Sequence, residues 1–159
     1  MHAIRPMVTA DIPVITSWMV RIPLWQRYRV SQATLTRQFE EALQQHDILV
    51  VADNGPHDPA CGFAWVLPRG AFGISAYLRL IGVRPDQANK GIGAALLREA
   101  ERLAAEGSRD MFLLVSDFNT AAQRFYQRLG YQQVGRLPGY VLADVDELIL
   151  WKRLRSAGA

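Results

Sequence analysis

The chain has 159 residues and a formal net charge of +3; 50% of its residues are hydrophobic and 21% are charged. This length fits a single domain of the usual ~100–200 residues, and the composition is that of a globular protein rather than a disordered one. The single cysteine excludes an intrachain disulfide, and the three scattered histidines offer no zinc-ligand spacing. The small positive net charge does not argue for nucleic-acid binding.

Membrane and secretory signals are missing from the sequence pattern. No apolar run approaches the ~20 residues that a membrane span requires. The first residues include Arg5, Pro6 and Asp11 and contain no long apolar block, so they do not resemble a secretory signal. We therefore expect a soluble, cytoplasmic protein with no nucleic-acid or membrane partner and no metal.

The first half of the chain alternates helical and extended patterns. Apolar residues at helical spacing predict one helix that begins at Asp11, with Asp11 as its cap, and a second helix that follows Ser31 as its N-cap. The segment between them contains Pro23 and is predicted as a loop over residues 21–30. Strands are predicted at residues 4–8, 48–52, 61–67 and 77–83, and turns at 54–59 and 68–73 make the last three strands antiparallel neighbours.

The second half has the rhythm of strand, helix, strand, helix. The pattern predicts a helix over 91–105 that Gly107 stops, a strand over 111–115 and a helix over 120–129 that Gly130 closes. Two final strands are predicted over 131–134 and 147–151. This order predicts an α/β (α+β) fold, in which a parallel strand pair lies within an otherwise antiparallel sheet flanked by helices.

The most informative segment joins the predicted strand 77–83 to the following helix and reads VRPDQANKGIGAAL from Val83 onward. A helix N-terminus exposes unpaired N–H groups and carries about half a positive charge. Gly91 and Gly93 remove the side chains that would keep a ligand off this backbone, and Lys90 adds a cation. These features predict a phosphate or pyrophosphate site. Neither the P-loop nor the dinucleotide spacing fits, and a purely structural role for the two glycines stays open.

These residues resemble the signature of the GNAT family of N-acetyltransferases: Gln or Arg, two residues, Gly, one residue, then Gly or Ala, after a strand that ends in Val-x-Pro. The chain departs from it at Ala88, where the family usually has Gln or Arg; Gln87 lies one place earlier. A second segment, VSDFNTAAQRFYQRLGY over 115–131, is similar to the family's later V…N…A…FY…GF motif. The resemblance extends over 4–154 and implies a single acyl-CoA N-acyltransferase domain over 1–154, followed by a tail over 155–159.

The resemblance implies that acetyl-CoA is the acetyl donor and that it lies where the parallel strands 77–83 and 111–116 splay apart. The pantetheine arm would pair with the backbone of Ile81 and Val83, and the amides of residues 89–94 would bind the pyrophosphate. Asn119 would bond the pantetheine arm, although it equally suits an N-cap of the last helix. The cofactor-binding residues implied in this way are Ile81, Val83, Asn89, Lys90, Gly91, Ile92, Gly93, Ala94, Asn119 and Tyr126.

The same resemblance implies two catalytic groups. The N–H of Val83 would stabilise the oxyanion and the hydroxyl of Tyr126 would protonate the leaving thiolate; simple packing on the sheet is the alternative for Tyr126. Deprotonating a lysine-like amine of pKa ~10.4 costs about 4.6 kcal/mol at pH 7. The counterparts of the family's strand carboxylate are Tyr77 and Arg79, and neither is an acid. The base stays open: a water chain to Asp117, or a carboxylate elsewhere.

The acceptor-binding candidates are Trp25, Tyr28, Tyr77 and Arg79. Arg79 suits either a substrate carboxylate or an ordinary salt bridge, and Asp144, Asp146 and Glu147 are interpreted as an acidic loop patch. The resulting hypothesis is an N-acetyltransferase that acts by direct attack of a primary amine of a small molecule or amino-acid-like acceptor. A protein-lysine or N-terminal acetyltransferase and a non-catalytic acyl-CoA-binding regulatory domain are the alternatives, and a homodimer is compatible with the sequence.

Overall fold

The computed structural model describes residues 2–155. Of the predicted tail over 155–159, residues 156–159 lie outside this range. These residues form seven strands, five helices and one short 3-10 turn, Pro85–Gln87. The strands are β1 (Ala3–Pro6), β2 (Ile48–Asp53), β3 (Gly62–Ala71), β4 (Ser75–Val83), β5 (Asp110–Ser116), β6 (Gln132–Leu137) and β7 (Glu147–Arg153). The helices are α1 (Asp11–Met19), α2 (Pro23–Arg27), α3 (Gln32–Gln44), α4 (Ile92–Ala104) and α5 (Thr120–Arg128).

The chain divides into two compact units, the first within Met1–Val66 and Leu80–Ala100 and the second within Leu67–Arg79 and Glu101–Ala159. The strand order is β1-β2-β3-β4 in the first unit and β3-β4-β5-β7-β6 in the second. The registered pairs β1–β2, β2–β3, β5–β7 and β6–β7 are antiparallel, and β4 and β5 are parallel. The predicted mixed, mostly antiparallel sheet with one parallel pair is confirmed.

An aromatic cluster forms the core of the first unit. The ring centroid of Phe63 on β3 lies 6.0 Å from that of Trp18, 6.2 Å from that of Trp25 and 5.4 Å from that of Phe39. These rings come from α1, α2 and α3, so all three helices bury an apolar stripe against one face of β3. The indole N–H of Trp18 donates to the Ala60 carbonyl at 3.1 Å. Each such buried aromatic side chain contributes ~1.5–3 kcal/mol through area burial.

The second unit is held together at the C-terminal end of α4. Glu101 accepts hydrogen bonds from the Tyr131 hydroxyl at 3.1 Å and from the Lys152 ammonium at 2.8 Å. Burial is the main cause that raises the pKa of Tyr131, so its hydroxyl keeps its proton and donates to the carboxylate. The Tyr131 ring in turn contacts Tyr126 of α5 edge to face, with centroids 5.7 Å apart. The network therefore connects α4, α5 and β7.

Two predicted boundaries were wrong for the same reason, because proline was taken as the end of an element. Residues 21–30 contain α2, in which Pro23 occupies the first turn, where its missing N–H has no intrahelical partner to lose. Strand β3 continues through Pro68 to Ala71. The turn that follows has positive φ at Phe72 (59°) and Gly73 (74°).

The two predicted helix caps had different outcomes. Ser31 is the N-cap of α3, and its hydroxyl accepts from the Thr34 N–H at 3.2 Å, as predicted. Asp11 is not a cap but the first residue of α1, and its carboxylate accepts from the Val8 N–H at 2.8 Å. Asp11 also receives two 2.8 Å bonds from the Arg5 guanidinium, so its carboxylate pairs with β1 instead of capping α1.

Candidate functional site

The glycine turn between β4 and α4 presents an open backbone. The first intrahelical bond of α4 runs from the Ala95 N–H to the Gly91 carbonyl at 3.1 Å, so the amides of residues 91–94 precede the helical ladder. Gly91 has a φ of 79° and Asn89 a φ of 61°, and a Cβ added to Gly91 would meet nothing within 4 Å. Unpaired amides at the positive end of a helix macrodipole form an anion site, and the space that a Gly91 side chain would fill is open.

Arg84 fixes this turn to the turn before β3. Its guanidinium donates to both carboxylate oxygens of Asp58, at 2.8 and 2.9 Å, and to Asp86 at 2.9 Å. Its backbone N–H donates to the Cys61 carbonyl at 2.8 Å. Hydrogen bonding to Arg84 is the main cause that lowers the pKa of Asp58 to about 2. Our sequence analysis missed this interaction, since Asp58 precedes Arg84 by 26 residues.

Gln87 takes a defined place beside the departure at Ala88. The Ala88 side chain is exposed, whereas Gln87 is only 7% exposed. The Gln87 amide donates to Asp86 at 3.3 Å, and its carbonyl oxygen accepts from the Lys90 ammonium at 3.3 Å. A polar side chain one place before the motif position therefore holds the cation next to Gly91.

The strand segment around Gly82 rests on Trp25. A Cβ on Gly82 would lie 2.4 Å from Cη2 of Trp25 and 3.0 Å from Cε1 of Phe63. Only a glycine lets the ring approach the backbone that separates Ile81 from Val83. Trp25 is 8% exposed, so the structure places this predicted acceptor-binding residue in the core, and its role towards an acceptor stays a prediction. Tyr28, the C-cap residue of α2, is half-buried.

In the second unit, Asn119 is the N-cap of α5. Its side-chain oxygen accepts from the Ala122 N–H at 3.2 Å, so the predicted capping role is confirmed. The cap uses only the carbonyl oxygen of the amide, and the NH₂ group carries two further donors. A capping role and a bond to a ligand therefore use different atoms of the same side chain.

Tyr126 is buried, with 7% of its surface exposed. Its ring lies 5.2 Å from Phe125, centroid to centroid, in an edge-to-face arrangement. Burial is the main cause that raises the pKa of Tyr126, and the nearby Tyr77 adds to it. The hydroxyl therefore stays protonated at neutral pH, as a proton donor must. Burial also raises the pKa of Tyr77, while the positive charge of Arg79 lowers it.

The acidic patch is not uniform. Asp117 lies 3.5 Å and Asp146 lies 2.7 Å from the Arg136 guanidinium, and the Asp146 N–H donates to the Asp117 carboxylate at 3.3 Å. Asp144 is exposed, whereas Glu147 is the first residue of β7 and is 5% exposed. The interpretation of all three acids as one loop patch holds for Asp144 and Asp146 but not for Glu147.

Two negative findings apply to residues 2–155. Within them, no group of three or more His, Cys, Asp or Glu side chains is arranged to hold a metal ion. None of the helices in this range is both long and apolar enough to cross a bilayer.

Comparison with known families matches residues 14–131 to the model of the acetyltransferase (GNAT) family. This match covers both motifs, the glycine turn and the Asn119–Tyr126 segment. The chain belongs to the GNAT acetyltransferase family. The resemblance inferred from the two motifs is therefore confirmed.

The curated relatives are longer proteins. The mycothiol acetyltransferase of Corynebacterium diphtheriae is 30% identical over 113 residues, which are 69% of this chain and 36% of the relative. The chain thus spans about a third of the length of the curated relatives that it matches.

Solved structures share the fold at low identity. The Salmonella typhimurium protein yncA, solved with its cofactor acetyl-CoA, matches with a TM-score of 0.80 and 19% identity over 99% of this chain and 96% of that one. An aminoglycoside 6′-N-acetyltransferase in complex with coenzyme A matches with a TM-score of 0.80 and 18% identity over 99% of both chains.

Proposed function

We propose that the chain transfers an acetyl group from acetyl-CoA to a primary amine of a small-molecule acceptor. The observation that carries this proposal is the open amide turn at Gly91, which lies between β4 and α4 and leads into the N-terminus of α4. A diphosphate needs several N–H donors and open space beside them. The unpaired amides at the start of α4 and the open space at Gly91 support a site of this kind.

The cofactor contacts follow from this turn. The amides of residues 89–94 bind the pyrophosphate, with Lys90 as an additional cation. The backbone of Ile81 and Val83 pairs with the pantetheine arm as an added strand would. The Asn119 NH₂ group bonds the same arm while its carbonyl oxygen caps α5. Arg124 and Arg128, both exposed on α5, are available to the nucleotide phosphate.

The reaction is a direct transfer without an acyl-enzyme. The amine attacks the thioester carbonyl carbon, and the Val83 N–H stabilises the oxyanion that develops there. As the C–S bond breaks, the Tyr126 hydroxyl gives a proton to the thiolate. The Tyr126 hydroxyl carries its proton at neutral pH, and its raised pKa favours the return of a proton to the phenolate after the transfer.

A small acceptor is favoured over a protein. The curated relatives are named for a small molecule, mycothiol. Tyr77 is half-buried and Arg79 is exposed beside it, which suits an acceptor that carries a carboxylate near its amine. Thiol release with a panel of amines, amino acids and lysine peptides separates this proposal from a protein acetyltransferase, and release with none of them would indicate a non-catalytic acyl-CoA-binding domain.

Calorimetric titration with acetyl-CoA tests the site itself. Gly93 lies in the first turn of α4, and valine has a higher helix propensity than glycine, so Gly93→Val adds a side chain beside the amides at no cost in helix propensity. We expect at least a tenfold loss of affinity at an unchanged melting temperature. Gly91→Val should abolish binding but also strains the backbone at a φ of 79°.

Gly107→Val is the matched control, because a side chain there also enters open space but lies beyond the end of α4. It should bind acetyl-CoA like the wild type. Wild-type affinity in Gly93→Val, or no binding by the wild type at millimolar acetyl-CoA, would refute the proposed site.

A further inference from the structure

The proposed reaction needs a group that takes the proton of the acceptor. An amine of pKa ~10.4 is neutral in only about one molecule in 2,500 at pH 7. Neither Tyr77 nor Arg79 on β4 is an acid, so the carboxylate must come from another element. In the second unit, the acids next to the paired ends of β5 and β7 are Asp117, Asp144, Asp146 and Glu147.

Strand register places Glu147 on the same sheet face as Tyr77. Tyr77 is paired with Phe112 across the parallel β4–β5 ladder, and Glu147 is paired with Ser116 across the antiparallel β5–β7 ladder. Phe112 and Ser116 are four residues apart on β5, so they point to the same face, and paired residues share a face. Tyr77, Ser116 and Glu147 therefore lie on one face of the sheet.

The burial of Glu147 sets it apart from the other acids. Glutamate is rarely this buried in soluble proteins, and here only 5% of the residue is exposed. Its charge contributes to the raised pKa of Tyr77, and Tyr77 in turn contributes to the raised pKa of Tyr126. Glu147 therefore lies close enough to Tyr77 for its charge to act on that hydroxyl, and Tyr77 in turn acts on Tyr126, the proposed proton donor.

The competing carboxylates are less suitable. Asp146 lies 2.7 Å from the Arg136 guanidinium, and this hydrogen bond lowers the pKa of the Asp146 carboxyl, which opposes proton uptake. Asp117 lies 3.5 Å from the same guanidinium and is less buried than Glu147. Asp144 is exposed in the loop. Other charged or titratable groups that interact with Tyr77 are Arg79, Tyr126 and Tyr140, and none of them is a carboxylate.

Building on the proposed function, we propose that Glu147 binds the acceptor's ammonium group and takes its proton. One proton passes from R–NH₃⁺ to the Glu147 carboxylate, and the amine then attacks the thioester to form the C–N bond. Cleavage of the C–S bond gives the thiolate, which takes the Tyr126 proton. The second proton lost from nitrogen returns to the Tyr126 phenolate, and Glu147 releases its proton to water.

The test compares two nucleophiles of different basicity in wild type and Glu147→Gln. One is the best alkylamine from the panel, and the other is O-methylhydroxylamine, which is largely neutral at pH 7. We expect kcat/KM for the alkylamine to fall about 100-fold or more, since general base catalysis contributes 10²–10⁴-fold. The value for O-methylhydroxylamine should fall far less, and acetyl-CoA affinity should stay at the wild-type level.

The outcomes separate this role from the proposed function. Equal losses with both nucleophiles indicate a structural role, and no loss with the alkylamine removes Glu147 from the reaction; either result overturns the inference. Asp144→Asn is the control for the loss of one acid and should act like the wild type. A wild type that binds no acetyl-CoA would overturn the proposed function, and the role of Glu147 with it.

Discussion

The contact between Trp25 and Gly82 gives the most direct test of the packing beneath the proposed cofactor strand. In Gly82→Ala the new Cβ would lie 2.4 Å from Cη2 of Trp25, which is 1.0 Å short of the 3.4 Å at which ordinary contact begins. The indole is held by Trp18 and Phe63, with ring centroids at 6.3 and 6.2 Å, so it has little freedom to withdraw. Overpacking of this kind destabilises by ~1–3 kcal/mol.

Part of that loss is offset, because replacing glycine by alanine stabilises by ~0.4–1 kcal/mol through the unfolded chain. A net destabilisation of about 1–2 kcal/mol is therefore expected. With an m value of roughly 2 kcal/mol/M for a chain of this size, the urea midpoint should fall by about 0.5–1 M. The KM for acetyl-CoA should rise as well, because Gly82 separates Ile81 from Val83.

A double-mutant cycle isolates the contact. Trp25→Leu removes the ring atoms that lie nearest to the new methyl group, and only the 3.0 Å approach to Phe63 remains. Gly82→Ala should therefore cost much less in that background, with a coupling energy of about 1–2 kcal/mol. An unchanged urea midpoint in Gly82→Ala alone would refute the reasoning. So would an equal loss of stability in both backgrounds.

Three further outcomes follow from the described contacts. Asn119→Asp keeps the hydrogen bond from the Ala122 N–H but loses the NH₂ donors. The free energy of unfolding of this variant should stay within ~0.5 kcal/mol of the wild type. Calorimetry should show about tenfold weaker acetyl-CoA binding. Equal affinity would show that the residue only caps the helix. Tyr126→Phe should lower kcat about 100-fold with nearly unchanged acetyl-CoA affinity, and an unchanged kcat would remove the hydroxyl from the mechanism. The pKa of Asp58 is lowered from 3.8 to about 2, so its ion pair with Arg84 stabilises the fold above pH ~4 and is lost as the pH falls through about 2. Asp58→Asn should therefore be less stable than the wild type at pH 6 in urea unfolding and equal to it below pH 2; a constant difference at both pH values would contradict this assignment.

Sequence patterns among neighbouring residues were enough to predict much of the fold. The N-cap at Ser31 and the apolar stripe of α3 depend on residues three or four apart, so the sequence reveals them directly. The same holds for the glycine turn, where the positive φ of Gly91 is a property of one residue and its neighbours. The strand–helix–strand order of the second half predicted the parallel pair, whereas the position of β7 between β5 and β6 was not predicted.

The features that were missed depend on partners distant in the chain. Arg84 is tied to an acid in another turn, and the need for glycine at position 82 arises from an indole on α2. Likewise, Glu147 follows two loop acids in the sequence, and only its strand register separates it from them. Such pairings are invisible without the three-dimensional arrangement.

The Asp58–Arg84 ion pair also bears on where foreign sequence can be introduced. The turn over residues 54–59 is rich in Gly, Pro and Asp, so it has the composition of a permissive place to insert a peptide tag or a fluorescent label. Because Asp58 anchors the residue that follows Val83, an insertion there would loosen a segment far along the chain. The region around Gly107, where an added side chain enters open space, is the better choice for such engineering.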